Sequence, residues 1–231
     1  PGLSLFNISI GYAMPDAFDL QIVQRLSMSR LAGYFRASSN DVSAALRLYE
    51  WNTQISAAFF ELLSDVEVVV RNSFHQQLTA WHSVQNGTDQ WYDNGHGFLQ
   101  PRATAAIQEA RTRIANKGKS ATSDQIISEL GFGFWRFLLT KPYKTTLWPF
   151  AGQYAFPNVS STDQFFSRIA RLHDFRNRIA HHEPIHMRQL DLDLLDCFQA
   201  VGAVSRETEV WVRRRSRVES LLLLRQSNLG I

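Results

Sequence analysis

The sequence predicts an all-α fold, a helical bundle with no significant sheet. Two observations carry this expectation: apolar residues recur at helical spacing through most of the chain, and no stretch alternates like a strand or repeats a strand–helix–strand unit. At 231 residues the chain can bury a good core without disulfides or metals. We read 14–231 as a single domain and 1–13, ahead of Met14, as an upstream remnant.

The first strong helical pattern runs from about Asp41 to Leu63, where Leu48, Asn52, Ile55, Phe59 and Leu62 form a broad stripe and Ser39, Asn40 and Asp41 supply the cap. A second run, Val66 to Trp81, follows without Gly or Pro between, so the two are expected to form one long helix, straight or kinked. Asn86 to Pro101, with Gly87, Gly95 and Gly97 around Trp91 and Tyr92, reads as a packed loop. Arg102 to Lys117 is the next helix, ended by Gly118, and Ser123 opens a short one. Gly131, Gly133 and Pro142 punctuate an aromatic-rich stretch, Phe132 to Phe150, whose aromatics are expected in the core. From a cap at Ser161 or Thr162, a helix continues until Pro184 stops it at about His182, and Leu190 to Val204 and Arg206 to Leu224 read as one or two more, the last strongly amphipathic.

Composition narrows the function classes. Hydrophobic content of 45% and charged content of 19% argue against disorder. No apolar run reaches the ~18 residues a membrane span needs, no signal-peptide pattern opens the chain, and the single cysteine, Cys197, suits a reducing compartment, so no membrane partner and a cytoplasmic location are expected. Net charge is only +3, but arginines cluster at 168–188 and again at Arg213 to Arg217, the latter reading equally as a phosphate-binding surface or a solvated helix face.

The chemistry-bearing segment is Arg176-Asn177-Arg178-Ile179-Ala180-His181, in the last turns of a helix. His173, Asn177 and His181 follow at i, i+4 and i+8 on one face, while Arg176 lies about 140° from His181. A long arginine reaching round, or a second copy of the helix across a two-fold axis, would complete a cleft. RNA carries its own nucleophile, the 2′-hydroxyl, so cleavage needs a proton acceptor and a group that stabilises phosphate charge. Histidine and arginine supply those, with no metal or cofactor. His182-Glu183-Pro184-Ile185-His186 fits the zinc-peptidase letters H-E-x-x-H, but Pro184 is incompatible with the intact helix that chemistry needs.

Arginine, polar residue, three residues, histidine resembles the signature of the HEPN superfamily, all-α proteins that are frequently dimeric ribonucleases. Leu46 through Asn52, Glu67 through Asn72 and Arg176 through Ile185 together resemble its Abi-like branch, the abortive-infection (AbiD/AbiF-type) proteins of bacterial phage defence, over Ser27 to about Leu195. The resemblance implies Arg176 as phosphate-binding, Asn177 as the polar motif position and His181 as the catalytic histidine, with His182 as its alternate. Glu67 and Arg71, expected to pair one turn apart, and His173 would support the site, and Arg171 and Arg178 would contact RNA. It further implies an RNA substrate, a homodimer, and an antitoxin that is a noncoding RNA or a protein. Two other readings stay open: a module that binds RNA or a nucleotide without cutting, and a structural domain in which Arg176 pairs with Asp174 or Glu183.

Overall fold

The structure, a computed structural model, describes residues 16–93 and 97–228. The segment 1–13 and Gly95 of the expected loop lie outside these described residues. Eleven α-helices and no strand occur among them. The fold is all-α, as the helical spacing predicts.

Contacts sort the chain into two compact units, 1–55 with 219–231 and Ser56–Val218. The first contains two helices that the periodicity did not reveal, α1 (Ala17–Leu26) and α2 (Met28–Ala37). Each is only 10 residues long, too short for a convincing stripe. Ser27, at φ 73°, ends α1, and its hydroxyl accepts from the Arg30 amide to cap α2. The long helix is real and unbroken: α3 (Val42–Asn86) runs 45 residues and carries the boundary between units within it. Asp41 caps its start, accepting from the Ala44 amide at 2.7 Å. In the first unit, Ser43 on α3 donates to Asp19 of α1, and the indole of Trp51 donates to the Leu221 carbonyl at 2.8 Å.

The second unit holds the remaining helices, α4 (Pro101–Asn116), α5 (Ser123–Glu129), α6 (Phe132–Leu138), α7 (Gln153–Ala155), α8 (Thr162–Ala180), α9 (Leu190–Gly202) and α10 (Arg206–Arg215). In the first unit α11 (Val218–Asn228) closes the described chain. Three helices therefore occupy the C-terminal region where one or two were expected. The extra break falls at Ser216, whose extended backbone (ψ 131°) ends α10 while its hydroxyl accepts from the Val218 amide. A serine side chain here replaces a helical acceptor.

Helix α8 positions the motif. Ser161 caps it, and Phe165, Ile169, Leu172, Phe175 and Ile179 make its buried stripe. Phe175 meets Phe59 of α3 edge-to-face at 4.9 Å, and Phe165 packs on Phe156 at 4.7 Å. Burial of each such ring contributes about 1.5–3 kcal/mol. Trp91, Tyr92 and Trp135 are buried, as expected of core aromatics, whereas Trp148 is half-buried and stacks on Phe156. α9 packs on α8 and buries Cys197 completely; that burial, with Asp193 and Asp196 nearby, pushes the thiol well above its ordinary value.

Candidate functional site

The end of α8 is fixed by a specific turn. The His182 amide donates to the Ile179 carbonyl and the Glu183 amide to the Arg178 carbonyl, both at 2.9 Å. This is the paired hydrogen bonding of a Schellman motif, with His181 as C-cap and His182 in the left-handed region at φ 57°. The turn leaves the side chains of His181 and His182 exposed beside carbonyls at the negative end of the helix dipole. Because α8 stops at Ala180, exposed His182 and buried His186 are not one turn apart on a helix, in keeping with the Pro184 argument.

Arginines that look alike in sequence separate sharply in space. Arg168 and Arg171 both bind Asp196 of α9, Arg171 through two hydrogen bonds of 2.9 and 3.0 Å. Arg178 pairs with Glu183 at 3.3 Å, and Arg188 grips Asp193 with two bonds of 2.6 and 2.8 Å, which raise its pKa. Arg176 alone of these five has no carboxylate partner among the described residues. The structural pairing of Arg176 with Asp174 or Glu183 does not occur: Asp174 faces His173 and Glu183 faces Arg178.

Instead the Arg176 guanidinium lies over the Phe60 ring of α3, 5.8 Å from its centroid. Together with Phe60, Ser64, Glu67, Val68 and Arg71 it lines a recess of about 190 Å³. Phe60, Ser64, Glu67 and Arg71 follow at intervals of four, three and four, one face of α3. Glu67 and Arg71 do not form the expected ion pair; the Arg71 Nε donates to Asn72 at 3.0 Å instead. Three half-buried charged side chains thus converge on one recess with no ion pair among them.

On the neighbouring face of α8, His173 lies between Asp174 and Asn177. Its Nδ1 is 3.2 Å from the Asp174 carboxylate and its Nε2 is 3.3 Å from the Asn177 amide nitrogen. A consistent pattern has Nδ1–H donating to the carboxylate and Nε2 accepting from the amide, which turns the Asn177 oxygen away from His173. α6 makes room for the ring: a Cβ at Gly133 would stand 3.1 Å from His173 Nε2.

Of the predicted residues, Arg176, Glu67 and Arg71 therefore meet at the recess, and His173 meets Asn177. His181 and His182 stand beyond the last helical turn, and Arg171 and Arg178 are held by carboxylates. Phe60, Val68 and Gly133 were missed, although Phe60 and Val68 carried a signal as apolar residues on an otherwise polar face of α3. No known protein family, no curated protein and no solved structure matches this chain.

Proposed function

We propose that the chain is a metal-independent endoribonuclease of the Abi-like HEPN type, acting in the cytoplasm as a homodimer and restrained by an antitoxin of RNA or protein. The observation that carries this reading is Arg176, whose guanidinium has no carboxylate partner while its four neighbours in sequence are paired. A guanidinium with no carboxylate partner, lining a recess, is suited to phosphate oxygens. No helix among the described residues is long and apolar enough to cross a membrane.

In the proposed reaction the neutral His181 imidazole takes the proton of the 2′-hydroxyl. The 2′ oxygen then attacks the adjacent phosphorus, and the bond from phosphorus to the 5′ oxygen breaks. Arg176 and the Asn177 amide stabilise charge on the phosphoryl oxygens, and the leaving 5′ oxygen takes a proton from the partner subunit's His181. Products are a 2′,3′-cyclic phosphate and a 5′-hydroxyl.

The test is incubation of wild type and His181→Ala with total RNA and tRNA in EDTA, followed by end-group analysis. Cleavage by wild type alone, leaving cyclic phosphate ends, supports the assignment. Cleavage retained by the variant places the chemistry elsewhere, and binding without cleavage by either protein favours the non-catalytic module.

A further inference from the structure

The recess beside Arg176 has features of a reader as well as of a phosphate clamp. At about 190 Å³ it is below the ~300–1,000 Å³ of pockets for drug-sized ligands, so it accommodates one flat ring system rather than a larger molecule. Its apolar walls are Phe60 and Val68, 44% and 39% exposed, which leaves apolar surface open to a ring beside the charged groups. Between them, Glu67 offers two carboxylate oxygens that only accept, and Arg71, with Nε engaged by Asn72, keeps its terminal nitrogens for donation. A carboxylate and a guanidinium one helical turn apart, not paired with each other, match a ligand that presents donors and acceptors on adjoining edges.

We propose that this recess holds a guanine base of the RNA. Only guanine offers two adjacent donors, N1–H and the N2 amine, to a carboxylate and two adjacent acceptors, O6 and N7, to a guanidinium on the neighbouring edge. Adenine puts its amine where Arg71 needs an acceptor. Cytosine and uracil give Glu67 one donor position rather than two and cover less of the Phe60 ring. The base stacks on Phe60, as unpaired bases do on aromatic side chains in RNA recognition, taking the place of the Arg176 guanidinium now over that ring, which swings out to the base's own phosphate or the next one. The site deepens the ribonuclease reading and rests on it for the identity of the polymer; recognition of the base itself does not need cleavage.

Two readouts separate the possibilities. Calorimetric titration of GMP, AMP, CMP and UMP into wild type and Glu67→Gln reads recognition alone. Mapping of cleavage sites on RNA containing guanosine or inosine reads it during turnover. We expect a preference for GMP, or for cutting beside guanosine, of roughly tenfold, which inosine weakens because it lacks the N2 amine and which Glu67→Gln removes. GMP selectivity without any cleavage retains the recess and overturns the ribonuclease reading. Cleavage with no base preference, with preference for another base, or with a guanine preference that survives Glu67→Gln overturns the recess and leaves the ribonuclease. Absence of both cleavage and GMP preference overturns both. Circular dichroism of Glu67→Gln checks its folding, and Phe60→Ala, which should weaken GMP binding while leaving the polar readers in place, supplies a second variant.

Discussion

Helices α4 and α8 end in the same hydrogen-bonded turn built on different residues. In α4 the left-handed position is Gly118 at φ 68°, whose amide donates to Ala115 at 2.8 Å while Lys119 reaches back to Ile114 at 3.4 Å. In α8 the equivalent position is His182 at φ 57°, with both bonds at 2.9 Å. A side chain in this backbone region costs about 1–2 kcal/mol relative to the right-handed one, a cost glycine escapes. The α4 end therefore follows the cheapest chemistry, whereas the α8 end holds a strained histidine next to the proposed catalytic one.

The largest expected effect breaks the comparison at the C-caps. Lys117 and His181 occupy the same position in the two turns. His181→Ala should lower RNA cleavage by about 10²–10⁴-fold, the usual contribution of a general acid–base group, and Lys117→Ala should leave it unchanged in the same gel assay. Equal effects would remove the functional distinction between the two helix ends.

The next effect is on stability. Gly118→Ala should destabilise by roughly 1 kcal/mol, and purely through backbone strain, since a Cβ there meets no atom within 4 Å. His182→Gly should stabilise by up to about 1 kcal/mol, less what the added freedom of the unfolded chain returns. Denaturant midpoints at constant slope measure both. Cleavage by His182→Gly near the wild-type rate would also assign the chemistry to His181 rather than its neighbour.

The smallest effect belongs to a histidine outside either turn. His75 of α3 has its pKa lowered, chiefly by burial, and its Nδ1 accepts the Trp91 indole N–H at 3.0 Å. Its folded value lies below its unfolded one, so as pH falls through the unfolded value the unfolded chain takes up more protons and stability declines. The decline stops once pH is below the folded value. His75→Asn, which keeps an acceptor near Nδ1, should flatten stability against pH in that window; an unaltered slope would show that another group dominates it.

Much of the helical architecture was legible in the sequence because burial imposes its own period. The α8 stripe and the unbroken run into α3 could be read directly, and so could the glycine end of α4. What escaped notice depended on single polar side chains or on partners remote in sequence. Ser27 ends α1 and caps α2, and Ser216 ends α10 while accepting from the first amide of α11, which no periodicity reports. The arginines of 168–188 looked equivalent because Asp193 and Asp196 belong to another helix, and only packing of α9 on α8 shows that Arg168, Arg171 and Arg188 are engaged. The sequence groups Arg176, Asn177 and His181 near one helix end, whereas in the fold Arg176 turns to the α3 recess, Asn177 meets His173 and His181 stands past the last helical turn. The recess was not legible, because half of it comes from Phe60 and Val68, more than a hundred residues earlier.

Cys197 gives the protein a built-in clock. As the sole cysteine, fully buried on α9 with its thiolate disfavoured, it should react with a thiol reagent only when the surrounding structure opens. Labelling in native buffer therefore times the opening of α9, the helix packed on α8, without any introduced probe. A ligand that closes on the α8 end would slow that clock, making one modification rate a report on occupancy even for a substrate that is never cut.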